Sequence, residues 1–288
     1  MARTRTIKIA TLNIAMHQPH SSERYVAMMK EAYALRHVVR LGGLHAAMLG
    51  ALYQPEQGDP AGWMEGEIYR FVRIDPNEPW FNTATKEEAS AEDVGQIRIP
   101  QHLFPHMSRF PFVFKPAEHE LWFIAKDRHD SLGPKAAESI FQEIFKVLCM
   151  VTNFPEITVT AIPDMEQVER MLTLHTLDKL VIELKRPNPD DGDDDEARYL
   201  RRLENQNVKK MVTVLVAESN HSITPDAETR GLAVVAANNG KVSVVGRDVI
   251  GTRVEESTSE HPRMDTVIVD PNIETEMNVL RRTAGMGE

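Results

Sequence analysis

Thr6-Ile7-Lys8-Ile9-Ala10-Thr11-Leu12-Asn13-Ile14-Ala15-Met16 is the stretch whose reading decides the fold. Ile7 and Ile9 share one parity, whereas Leu12, Ile14 and Met16 share the other. Successive side chains of an extended chain point to opposite faces. A switch of parity within one strand therefore predicts either a bulge or burial on both faces.

Working outward, Ser21-Ser22 offers a helix cap. Tyr25, Met28, Ala32, Leu35 and Val39 follow at three- and four-residue spacing, and Gly42-Gly43 closes that predicted helix. Residues 44–52 and 66–74 read as strands, and the Pro-rich, mixed-charge stretch 75–108 reads as irregular and exposed. Aromatic density predicts a β-hairpin from 110–115 and 120–126. Pro134 stands at a natural first helical position, and Ala137, Ile140, Phe141, Ile144, Phe145 and Leu148 make a wide apolar stripe behind it.

Beyond residue 150 the chain continues as a strand at 157–162, a helix at 165–174 and a strand at 180–184. In that second strand Leu180, Ile182 and Leu184 point inward, while Lys179, Glu183 and Lys185 point outward. Residues 187–196 read as an acidic linker, because two prolines, one glycine and six carboxylates cannot pack a core. A helix over 197–217 follows, then one capped at Thr224-Pro225 and ending at Asn238-Asn239-Gly240. Strands at 242–249, 252–255 and 265–269 read as a closing antiparallel meander. Helices mixed with antiparallel pairs give an α+β fold with amphipathic helices. The expected organisation is two domains, 1–150 and 151–288, with the boundary near 150 or near 190.

The bulk chemistry narrows the function. No apolar run approaches the roughly 18–20 residues of a membrane span, so no direct membrane insertion is expected. Cys149 is the single cysteine, which rules out an internal disulfide and suits a reducing compartment, the cytoplasm. There is no phosphate-binding loop, dinucleotide glycine fingerprint or Cys-x-x-Cys pair, so no cofactor is expected. The net charge of −10 means that any contact with a polyanion must come from a local concentration of cations.

One such concentration is visible. On a helical wheel for 197–217, Arg198, Arg202, Asn205 and Lys209 fall within about 60° of one another, with Arg201 adjacent. Tyr199, Leu200, Leu203, Met211 and Val214 take the opposite side. Lys185 and Arg186 stand just across the acidic linker and extend the patch, giving six candidate phosphate contacts: Lys185, Arg186, Arg198, Arg201, Arg202 and Lys209. A second constellation is Pro163-Asp164 followed by Glu183-Leu184-Lys185, a spacing like that of Mg²⁺-dependent nucleases of the restriction-endonuclease superfamily, in which two carboxylates hold the metal and the lysine positions water. Asp127-Arg128-His129-Asp130-Ser131 offers carboxylate, imidazole and hydroxyl, but neighbours on one loop rarely converge as a triad. A third class, a protein-interaction adaptor that never touches nucleic acid, suits the acidic balance.

Taken as a whole the chain resembles an uncharacterised bacterial family, a domain of unknown function of the DUF4747 type. The resemblance runs through Leu35-Arg36-His37-Val38-Val39-Arg40, Gly66-Glu67-Ile68, Lys185-Arg186-Pro187-Asn188-Pro189-Asp190-Asp191, Glu204-Asn205-Gln206-Asn207, Gly246-Arg247-Asp248 and Glu260-His261-Pro262. A remoter resemblance lies in the order of Phe110-Pro111-Phe112-Val113-Phe114, Leu121-Trp122-Phe123, a long amphipathic helix and Val181-Ile182-Glu183-Leu184-Lys185-Arg186-Pro187. That order is similar to the RexA phage-exclusion family, to KwaB of the Kiwa defence system and, through them, to RdgC. It implies a non-enzymatic, homodimeric, non-specific DNA binder of anti-phage defence. It also implies a membrane or other defence protein, encoded nearby, as partner.

Overall fold

The structure is a computed structural model and describes residues 4–17, 21–53, 62–75, 77–100, 102–127, 130–185 and 194–286. It is mixed α+β with antiparallel sheets. The larger sheet is built around β1 (Arg5–Met16), which pairs along one side with β8 (Glu120–Asp127). Beyond β8 come β7 (Ser108–Lys115), β4 (Met64–Val72), β3 (His45–Tyr53) and β2 (Val39–Leu41). Along the other side of β1 two strands lie end to end: β10 (Ile157–Ala161) against Leu12–Met16, and β15 (Asp265–Val269) against Arg5–Ile9. The short β9 (Asp130–Ser131) pairs with the end of β8, and β5 (Phe81–Asn82) with β6 (Glu87–Glu88) and the single-turn α2 (Ala91–Gly95) decorate the largely exposed 77–100 stretch.

The parity switch of β1 resolves as burial on both faces. Ala10, Leu12, Ile14 and Met16 enter a core with α1 (Ser22–Ala34), α3 (Pro134–Val151) and the sheet residues Phe112, Phe114 and Phe123. Ile7 and Ile9 enter a second core with Val113, Trp122, Ile124 and, from α7 (Glu276–Thr283), Val279 and Leu280. The bulge falls on the partner strand, where Lys8 faces Lys126 and Ile9 faces Ile124, leaving Ala125 as the extra residue. The 110–126 hairpin forms as its aromatics require, with Phe112 opposite Phe123 and Val113 opposite Trp122.

A smaller sheet, ordered β12 (Lys210–Val216), β11 (Thr176–Lys185), β13 (Gly240–Arg247), β14 (Arg253–Ser257), carries α4 (Met165–Leu172), α5 (Asp194–Asn205) and α6 (Ala227–Asn238) on one face. Leu177, Leu180, Ile182 and Leu184 of β11 pack there against Val168, Tyr199, Leu203, Ala233 and Ala236. This unit is inserted between β10 and β15. The chain leaves at Ile162, whose N–H donates to the Thr11 carbonyl (3.0 Å), and returns at Arg263, whose N–H donates to the Ile162 carbonyl (2.9 Å). Pro163 and Pro262 bridge the two crossings. Asn13, an odd polar residue in β1, faces the inserted unit and donates to the Asn239 side chain (3.1 Å) in a buried contact.

Several sequence expectations are corrected. The first helix stops at Ala34, with Arg36 left-handed at φ 50°, and Val39 belongs to a strand. The cap of α6 is Asp226, whose carboxylate accepts from the Thr229 N–H (2.7 Å). The expected closing meander splits, since β13 and β14 pair with each other whereas β15 joins the larger sheet.

The largest correction concerns 197–217. The helix ends at Asn205 and the chain re-forms as β12. Asn207 takes the left-handed conformation (φ 52°) that asparagine tolerates, and the Val208 N–H closes back on the Leu203 carbonyl (2.8 Å). Met211-Val212-Thr213-Val214-Leu215-Val216 is rich in β-branched residues that favour a pleated surface.

Candidate functional site

Because the helix ends early, the cations do not line one helical face. Strand pairing collects some of them elsewhere. Lys185 ends β11 and Lys210 begins β12, and the register makes them direct cross-strand partners. Lys209 precedes Lys210 in the turn. The three line a cleft of about 270 Å³ where the small sheet meets the large one, together with His17 at the end of β1, Gln142 of α3, and Glu156 and Thr158 at β10. Gln142 fixes the far wall: its amide donates to the Ile157 carbonyl (3.0 Å) and accepts from the Val159 N–H (2.9 Å). The near wall is fixed by the Lys185 N–H, which donates to the Asn239 carbonyl (3.0 Å).

Two carboxylates already face the lysines. Lys209 pairs with Glu156 at 2.7 Å and Lys210 with Glu183 at 2.8 Å, while Lys185 forms no ion pair among the described residues. The Lys209–Glu156 side chains are 71% and 48% exposed. Exposed pairs of this kind contribute about 0–1 kcal/mol, too little to hold an ammonium against an incoming phosphate.

The remaining predicted contacts lie outside the cleft. Arg198 stacks over the Tyr199 ring (4.9 Å to its centroid), reaches the Tyr199 hydroxyl (3.1 Å) and pairs with Glu228 (3.3 Å). Arg201 turns back to donate to the Ala197 carbonyl (3.2 Å). Arg202 is exposed on the last turn of α5 with no ion pair among the described residues. Arg186 and 187–193 of the acidic stretch lie outside the described residues, and Asp194 opens α5. Sequence reasoning missed Lys210, because a helical wheel sets it on the apolar side. The alternating valines behind it were the signal.

The nuclease-like spacing meets separate local roles. Glu183 and Lys185 do share the outward face of β11, but Asp164 caps α4 by accepting from the Glu166 N–H (2.9 Å), and Glu183 is engaged by Lys210. Among the described residues no group of three or more His, Cys, Asp or Glu side chains is placed to hold a metal ion. In the 127–131 loop Asp127 is held by Arg5 (2.8 Å) and Asp130 accepts from the Ser108 hydroxyl (2.6 Å). Among the described residues no helix is long and apolar enough to cross a membrane.

No curated protein matches the chain. The family model of DUF4747, a domain of unknown function, matches residues 5–285, nearly the whole sequence, and the chain belongs to that family.

Proposed function

We propose that this protein is a non-enzymatic, DNA-engaging component of an anti-phage defence system, contacting phosphates through the lysine cleft and its cationic surroundings. The observation that carries the reading is the convergence of Lys185, Lys209 and Lys210 on one cleft in a chain whose net charge is −10. An acidic protein gains little polyanion affinity from its overall field, so its affinity must be local. Arg202, exposed at the end of α5, and Arg201 supply further contacts beyond the cleft, whereas Arg198 is engaged with Tyr199 and Glu228. The defence role, the dimer and a defence partner encoded nearby rest on the RexA-, KwaB- and RdgC-like order of sequence motifs.

The test is a gel shift on random duplex across a salt series. The three cleft lysines contribute roughly −3 to the slope of log K against log salt, and Lys185→Ala/Lys209→Ala lowers its magnitude by about 2. No shift at low salt, or an unchanged slope in the double variant, rejects the reading. The adaptor reading draws support from the acidic balance and from the exposed valines of β12. It is favoured if a partner complex survives nuclease treatment and the double variant protects cells against phage as well as wild type does.

A further inference from the structure

β12 is an edge strand. Its neighbour on one side is β11, and no strand of the described residues lies on the other. The backbone bonds fix which residues face that open side. The Ala217 N–H donates to the Asp178 carbonyl (2.8 Å), and on the far edge of β11 the Lys185 N–H turns to Asn239. Alternation along an antiparallel ladder then sends the backbone groups of Met211, Thr213 and Leu215 toward β11, and those of Val212, Val214 and Val216 outward. The same three valines expose their side chains, at 50%, 51% and 70%. Natural edge strands are blunted by charge, proline or a bulge. Seven residues of β12 carry one charge, Lys210 at the start, and pair with β11 without a register shift.

We infer that this edge pairs with the β12 of a second copy, antiparallel about a two-fold axis at Val214. The sequence selects that register. It sets Val214 opposite itself once, on the axis, and Val212 opposite Val216 and Lys210 opposite Glu218 twice each by symmetry. On the other face Met211 meets Ala217 and Thr213 meets Leu215. Centring on Thr213 would place Lys210 opposite Val216 and leave Glu218 beyond the pairing. Centring on Leu215 would place Glu218 against Val212. Only the Val214 register matches apolar to apolar and cation to anion. It also aligns residues whose N–H and C=O groups point outward, so every directly opposed valine pair exchanges two backbone bonds. The product is a continuous sheet with four strands from each copy, and the two Lys210 residues stand eight positions apart, roughly 27 Å along the paired strands. This surface gives the dimer of the proposed function an interface, but it does not depend on the cleft taking DNA.

Sedimentation of the full chain over a concentration series is the experiment. Wild type should be a dimer. Val214→Pro, which removes an outward N–H that β11 does not use, should raise the dimer dissociation constant at least tenfold. Glu218→Lys sets two ammonium groups opposite each other and should weaken the dimer, and adding Lys210→Glu should restore it. Val214→Cys should cross-link to itself under mild oxidation, because directly opposed Cα atoms about 5.5 Å apart suit a disulfide. Wild type, whose one cysteine is the half-buried Cys149, is the control. Lys185→Ala/Lys209→Ala should remain dimeric, so loss of DNA binding and loss of the dimer are read separately. A monomer at all concentrations, a dimer indifferent to Val214→Pro, or a Val214→Cys chain that does not cross-link overturns the inference.

Discussion

β1 and β11 are both interior strands, yet they treat their two faces differently. β1 feeds one core with Leu12, Ile14 and Met16 and another with Ile7 and Ile9. β11 feeds one core with Leu180, Ile182 and Leu184 and leaves Lys179, Val181, Glu183 and Lys185 on the other face, none of them fully buried. A strand covered on both sides can carry only packing information. A strand open on one side can carry charge at its end and apolar surface beside it, and here it does both. The larger sheet is scaffold, and the smaller one supplies the surface.

The largest expected effect tests the scaffold. Phe141, fully buried and edge-on to Phe112 with ring centroids 5.9 Å apart, should cost about 3–5 kcal/mol on Phe141→Ala, read from urea unfolding. A smaller cost would mean that the α3 face is loosely packed, and the contrast with the small sheet would weaken. The next effect tests how tightly β13 approaches β11. A Cβ at Gly240 would run into the Glu183 carbonyl oxygen of the neighbouring strand. Backbone cannot yield as a flexible side chain can, so Gly240→Ala should cost about 1–3 kcal/mol by the same measurement. It should also disturb the strand end that holds Lys185, weakening any duplex binding.

How much of this was legible in the sequence follows the range of each interaction. The parity switch of β1, the 110–126 hairpin and the stripe of α3 are local patterns of period 2 or 3.6. The hairpin and the stripe form as read, and of the two outcomes left open for β1 the structure has burial on both faces. The 197–217 stretch misread because a helical wheel accepts any cations spaced by three or four. The wheel outweighed the alternation of Val212, Val214 and Val216 and the Asn205–Asn207 stop. The cleft itself had no local signature. Lys185 and Lys210 meet through strand pairing across 25 positions, and Glu156 and His17 arrive from the other sheet. The insertion between β10 and β15 was hidden for the same reason, since the pairing of β15 with β1 joins residues some 260 positions apart.

A pH measurement sharpens the scaffold side. Glu120 sits in a cross-strand pair with Lys115 and accepts from the Trp122 indole N–H (2.8 Å), and its burial raises its carboxyl above the ordinary glutamate value. A raised folded-state value means that the folded chain holds this proton more tightly than the unfolded one. Glu120 therefore favours the fold below its unfolded value, and that contribution is lost as pH rises through the folded value. Glu120→Gln keeps an acceptor for Trp122 and removes the titration. The variant should gain stability relative to wild type as pH rises from the acid range toward neutrality, then hold a constant difference. A difference that does not vary with pH would show that the carboxyl is hydrated and the second core is open there.

The smallest expected effect on stability is the one that most sharply separates the two sheets. Lys209 pairs with Glu156 across the cleft, and that pair is an ionic link between the small sheet and the β10 side of the large one. Both groups are solvent-exposed, so Lys209→Ala should change unfolding stability by no more than about 0.5 kcal/mol. Glu156→Ala should be equally mild. The two should part company on DNA: removing Lys209 subtracts a phosphate contact, whereas removing Glu156 frees Lys209 and leaves the cleft more cationic. Gel shifts of the pair should therefore move in opposite directions from wild type. If both variants weaken binding alike, the pair acts as a structural clamp on the insertion, and the open face of the small sheet carries no independent charge chemistry.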